Sequence, residues 1–170
     1  METALLIIDM QVSLLNDEPW QKAALLGNIG ILTHGARAAG APVIFVRDTR
    51  VEPDAALIKS LDRQEDDPVI LKGFCDAFLD TSLQELLQEA EVKKLVICGL
   101  QTDYCIDTSC RRAASLGYGV QLASDAHSTF DHELLPAAKI VAHHNRILRN
   151  FPAGAGYVRT TPTAEVSFAY

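Results

Sequence analysis

The chain has 170 residues, 48% of them hydrophobic, and a formal net charge of −7. That length suits one domain, residues 1–170, with a full core. The acidic balance, with no basic run of four residues, argues against a nucleic-acid or anionic-membrane partner.

No apolar run reaches membrane-spanning length, so no membrane partner is expected. Met1-Glu2-Thr3 leads straight into an apolar run without a charged leader or a cleavage site, and a cytoplasmic location is expected. Cys75, Cys98, Cys105 and Cys110 form no C-x-x-C pair and have no histidine at zinc-finger spacing. In that compartment they read as thiols.

Ala4 to Ile8 is a continuous apolar run, as in a parallel strand covered on both faces. Asp9 ends it. A carboxylate there is costly unless paired or near solvent, so Asp9 is either a turn residue or part of a site. The segment to Trp20 reads as a loop, and Trp20 either walls a pocket or packs under that loop. Gln21 to Ala39 is a predicted helix with Leu25, Ile29, Leu32 and Ala36 on one face and Gly40 as its stop. Pro42 to Val46 is a second strand, followed by Arg47-Asp48-Thr49-Arg50. Val51 to Asp67 reads as a polar surface connection with a short helix near 55–61. Pro68 to Leu71 is a third strand, ended by Lys72. A lysine in that place either snorkels to solvent or serves a site. Phe74 follows, and Thr81 caps a helix through Leu83, Leu86, Leu87 and Ala90.

Leu95 to Cys98 is a fourth buried strand, broken by Gly99. After a polar loop, Cys105 opens a helix whose apolar face is Ile106, Cys110, Ala113 and Ala114. Thr102 or Asp103 is placed to cap it. A thiol at a helix N-terminus meets unpaired N–H groups that favour the thiolate, whereas a structural cysteine would simply be buried. Tyr118 to Ala123 is a fifth strand, with Ser124, Asp125 and His127 just past its end. His127 is either a substrate contact or an exposed loop residue. Pro136 to Asn150 is the last helix. His143 and His144 are adjacent on it, point about a hundred degrees apart, and make a poor metal pair. Tyr157 to Thr161 reads as an edge strand, and the tail to Tyr170 is apolar enough to dock. This alternation means an α/β fold: an open, mostly parallel sheet with helices on both faces. Ligands bind such sheets beyond the C-terminal strand ends, where Asp9, Lys72 and Cys105 all lie.

The stretch Gly99, Thr102, Cys105, Ile106 resembles the nucleophile loop of the isochorismatase-like cysteine hydrolases. Asp9 in I-I-D-M-Q and Lys72 after a later strand resemble two further hallmarks, in the same order. Ser124-Asp125-Ala126 and His143-His144-Asn145 also resemble family positions. Cys75-Asp76-Ala77-Phe78 departs from the family's Ser-Ala-Phe by carrying Asp76. The resemblance runs from about Ala4 to Phe151 and implies a three-layer fold with a six-stranded sheet in the order 3-2-1-4-5-6. It implies a triad of Cys105 as nucleophile, Asp9 as proton carrier and Lys72 as fixed charge. It further implies an oxyanion hole from the backbone N–H groups of Gln101 and Cys105, with a cis Leu100–Gln101 bond. The expected activity is hydrolysis of a C–N bond in a small molecule through a thioester, without a cofactor. Trp20, Phe74, Tyr104 and His127 are candidate substrate contacts. Family members are commonly dimers or larger, so a homo-oligomer is expected. Related nicotinamidases carry an Asp-x-His metal cluster after the second strand. Here no histidine lies between His34 and His127, so no metal site is expected. Isochorismatases of this fold cleave a vinyl ether without a cysteine nucleophile. That activity, a non-catalytic binding protein of the same fold, and a redox enzyme are the alternatives.

Overall fold

Strands too apolar to face water on either side take the middle of the sheet. In the computed structural model, which describes residues 2–168, the order of elements is β1 (Thr3–Ile8), α1 (Val12–Asn16), α2 (Lys22–Ala38), β2 (Val43–Asp48), β3 (Val69–Lys72), α3 (Leu83–Glu89), β4 (Lys94–Leu100), α4 (Asp107–Ser115), β5 (Gly119–Ser128), α5 (Ala137–Ile147), β6 (Asn150–Ala153) and β7 (Gly156–Thr161). Every residue of β1 is buried, and β4 is buried from Leu95 onward. The two pair in parallel, with Leu5 opposite Val96 and Ile8 opposite Gly99. Helices cover both faces. On one, α2 lays Leu25, Ile29, Leu32 and Ala36 over Leu5, Ile7, Val96 and Cys98. On the other, Leu83 and Leu87 of α3 and Cys110, Ala113 and Ala114 of α4 pack over Leu6, Ile8 and Ile97. Side chains buried to this degree contribute roughly 1.5–3 kcal/mol each.

The sheet order is β3-β2-β1-β4-β5-β7-β6, seven strands rather than the expected six. The first five follow the expected order. The difference lies at the far edge. The last helix ends at Ile147, not Asn150, and Asn150–Ala153 forms a strand antiparallel to β7. Gly154, at φ 70°, makes the turn between them. Tyr157–Thr161 is therefore not the edge: it is held between β5 and β6. The fifth strand is also longer than expected. A register shift between Ile97 and Gly99 lets β5 continue to Ser128, so Ser124, Asp125 and His127 lie within it. Gly99 does not break β4 but sits inside it at φ 117°. A Cβ there would strike the Ile8 carbonyl, which leaves only glycine room.

Two connections also differ. The segment before Trp20 contains α1. The expected helix near 55–61 is a single 3₁₀ turn at Lys59–Leu61. Backbone groups there are satisfied elsewhere: Ala56 N–H donates to the Asp54 carboxylate and Ile58 N–H to the Met10 carbonyl. The tail folds back on its own chain, with Phe168 against the α2 side of the core. Tyr170 lies outside the described residues. No helix among them is long and apolar enough to cross a membrane.

Candidate active site

β3 is an edge strand, and its burial alternates: Val69 and Leu71 are exposed, Ile70 and Lys72 buried. That parity turns Lys72 inward. Its side chain is 0% exposed, and its ammonium meets three partners: Asp9 Oδ2 at 2.9 Å, Asp48 Oδ2 at 2.8 Å and Cys105 Sγ at 3.2 Å. Asp9 follows β1 in a left-handed conformation, φ 54°, with its own N–H donating to the Val46 carbonyl. Its second oxygen, Oδ1, is buried without a hydrogen-bond partner. Asp48 ends β2 and pairs in register with Lys72. Cys105 lies in a π-helical turn, Thr102–Ile106, that leads into α4. Such turns recur at functional sites. The Leu100–Gln101 peptide bond before that turn is cis.

The electrostatics follow from burial against pairing. Burial lifts Asp9 above the ordinary carboxylate range, against the pull of Lys72. Burial and the Asp9 carboxylate push the Cys105 thiol up, again opposed by Lys72. Burial works against the charge of Lys72, but Asp9, Cys105 and Asp48 more than offset it and hold the ammonium protonated. Burial also opposes ionisation of Asp48, yet hydrogen bonds from Arg50 and Lys72 keep its carboxyl well below the usual range. The resting site is thus a fixed cation and a fixed anion, beside a thiol and a carboxyl group that compete for one proton.

A cavity of about 460 Å³ opens onto these groups, a volume suited to a small molecule. Asp9, Asp48, Arg50, Cys75, Gln101, Tyr104, Cys105 and His132 are among the residues lining it. Of the four candidate substrate contacts, the geometry places one on this cavity. Tyr104 lines it and stacks on His132, with ring centroids 6.3 Å apart. Phe74 does not: it is half exposed, and Cys75 turns toward the cavity in its place. Trp20 and His127 border a separate cavity of about 210 Å³ between α2, β5 and α5. His127 is neither on the cavity beside Cys105 nor an exposed loop residue. It is buried, with Nε2 on Asn145 Oδ1 at 3.0 Å and Nδ1 on Thr102 Oγ1 at 2.8 Å. The Asn145 amide nitrogen donates to the Ser124 carbonyl, so its oxygen accepts from His127 Nε2–H, and Nδ1 accepts from the Thr102 hydroxyl. Burial pushes His127 down to about 4. Thr102 and Asp103 do not cap the turn that carries Cys105. Thr102 is used by His127, and Asp103 accepts from the Thr129 hydroxyl and pairs with His132.

Among the described residues, one group of three ligand-capable side chains comes within 4.8 Å of one another: Asp9, Asp48 and Cys105. All three bond the Lys72 ammonium, and both Asp48 oxygens are also held by Arg50. A metal ion does not fit that donor set without expelling the lysine.

The model of the isochorismatase domain matches residues 3–148. The chain belongs to the isochorismatase family. A streptothricin hydrolase of Streptomyces noursei is 32% identical over 145 residues, 79% of this chain, which spans 51% of that relative's length. Nicotinamidase 3 of Arabidopsis thaliana is 28% identical over 177 residues, covering 91% of this chain and 83% of the relative. A solved isochorismatase family protein superposes with a TM-score of 0.85 at 33% identity, covering 94% of this chain and 98% of that one. This isochorismatase-family hydrolase carries two site residues that sequence reasoning passed over. Asp48 lies two residues past the apolar run of the second strand, a weaker form of Asp9's signature of a carboxylate closing a buried run. Gln11 is fully buried, accepts from the Asp48 N–H at 2.8 Å and donates to the Asp48 carbonyl at 2.9 Å. A polar residue two places after Asp9 was its only signal.

Proposed function

We propose that this protein is a cysteine hydrolase that cleaves an amide-type C–N bond of a small molecule. The observation that carries the reading is the buried Lys72 ammonium 3.2 Å from Cys105 Sγ and 2.9 Å from Asp9. Two relatives named as a nicotinamidase and a streptothricin hydrolase support the same class. The free Asp9 Oδ1 is the acceptor for the thiol proton. As that proton leaves, the sulfur attacks the substrate carbonyl, and its π electrons move onto oxygen. In this reading the N–H groups of Gln101 and Cys105, two residues that line the cavity, are the donors to that oxyanion. Collapse expels the amine, which takes the proton from Asp9 and leaves a thioester. Water then attacks the thioester, Asp9 takes its proton, and the thiol is restored. Lys72 keeps its proton throughout and compensates the negative charge that moves between Asp9 and Cys105. The test is a panel of small amides read by ammonia release, with Cys105→Ala as control. Release that persists in the control removes Cys105 as the nucleophile.

A further inference from the structure

Inside the catalytic cavity one cation faces the entering molecule. Lys72 is sealed beneath the carboxylates, and both Asp9 and Asp48 are almost wholly buried. Arg50 has a side chain 52% exposed and, among the described residues lining the cavity, is the one lysine or arginine. It is also held in place. The chain turns after β2 so that the Arg50 N–H donates to Asp48 Oδ1 at 2.9 Å. Its Nε donates to the same oxygen at 3.0 Å and its Nη2 to Oδ2 at 2.6 Å. Backbone and side chain are thus fastened to one buried carboxylate, which fixes the plane of the guanidinium. The Asp48 charge is shared with Lys72, so it does not cancel Arg50 alone. Nη2 also makes a long contact to Cys75 Sγ at 3.9 Å, and the Nη1 hydrogens have no acceptor among these bonds. A planar fork with free donors, already ordered, matches a carboxylate. An unanchored arginine would lose more side-chain freedom in binding one.

We propose that Arg50 is an anion subsite, and that the substrates are small amides bearing a carboxylate. This rests on the reading of Cys105 as the nucleophile. Asp48 then has two duties, holding Lys72 toward the sulfur and Arg50 toward the substrate. The distance between the two cations sets where the anionic group lies relative to the scissile bond.

Iodoacetate and its neutral isostere iodoacetamide test this without turnover. In both, the Cys105 thiolate displaces iodide, and only one reagent carries a carboxylate. The ratio of their alkylation rates cancels any change in the thiol itself. Site-resolved mass spectrometry separates Cys105 from Cys75. The iodoacetate-to-iodoacetamide ratio at Cys105 is expected to exceed that of free N-acetylcysteine by about tenfold or more. The iodoacetate rate should saturate, and succinate should protect against it. Arg50→Gln should bring the ratio down to that of the free thiol, and Arg50→Lys should keep part of it. If Arg50→Gln does not fold, saturation and succinate protection in the wild-type protein decide the matter. An unsaturated wild-type rate with the ratio of free thiol, or a ratio unchanged in Arg50→Gln, overturns the anion subsite and leaves the nucleophile standing. Cys105 that resists both reagents overturns the nucleophile and the subsite with it.

Discussion

Lys72 places its ammonium 3.2 Å from the Cys105 sulfur although β2 and β1 separate β3 from β4 in the sheet. The two intervening strands end in Asp48 and Asp9, and each gives a carboxylate oxygen to that ammonium. A charge carried from the edge of the sheet to its centre is thereby paired along its path. Without those partners, burying it would cost several kcal/mol.

Removing that charge has two measurable effects. Lys72→Met keeps much of the stem and leaves two buried carboxylates without their shared cation. A stability loss of about 3–5 kcal/mol is expected, softened because Asp9 can take up a proton. At an effective dielectric near 20, opposite charges about 4 Å apart attract by roughly 4 kcal/mol, and a third of that is about one pKa unit on the thiol. The iodoacetamide curve of Cys105 should therefore move to higher pH, and turnover should largely vanish. A curve and turnover that match wild type would remove Lys72 from the mechanism.

Cys105→Ala deletes one sulfur from a tight site, at a stability cost of about 1 kcal/mol. Turnover should fall by several decades, on the order of a million-fold if the residue acts like other triad nucleophiles. Ammonia release in single-turnover and steady-state assays checks this.

Asp48→Asn leaves Lys72 with one counter-charge and frees Arg50. A loss of about 3 kcal/mol in urea denaturation near neutral pH is expected. The folded Asp48 carboxyl is held below its unfolded value, so its stabilisation is present above the unfolded pKa of about 4 and fades as pH falls below it. The stability gap between wild type and Asp48→Asn should shrink over that acid range.

His127 responds to acid with the same sign as Asp48, in a higher pH window. Its folded pKa, about 4, lies below the ordinary histidine value of 6.5, so the unfolded chain binds the extra proton first. Stability should fall between pH 6.5 and about 4, by roughly 3 kcal/mol in total. His127→Gln should lower stability at pH 7 and flatten that slope. Denaturant melts at half-unit pH steps measure it.

Dialysis against EDTA should leave activity intact, because the three donors that could share an ion are bonded to Lys72. Activity lost to EDTA and regained with zinc or iron would mean that Lys72 yields its place to a metal.

Local sequence determined much of this. The apolar runs of β1 and β4 mark central parallel strands, and the 3–4 spacing of Leu25, Ile29, Leu32 and Ala36 marks a helix with one buried face. Strand ends in an open parallel sheet share one edge, which is enough to bring Asp9, Lys72 and Cys105 to the same side. Which groups touch was decided only by the fold. Asp48 joins the site because in-register pairing sets it beside Lys72, a long-range constraint that no window of sequence contains. His127 leaves it because the register shift in β5 turns its ring toward Asn145 and Thr102 rather than the cavity. Phe74 gives way to Cys75 because a turn of a few residues reverses which side chain faces inward. The parity of β3, set by its place at the edge, buries Lys72 and leaves Leu71 in water, the reverse of what hydrophobicity alone would choose.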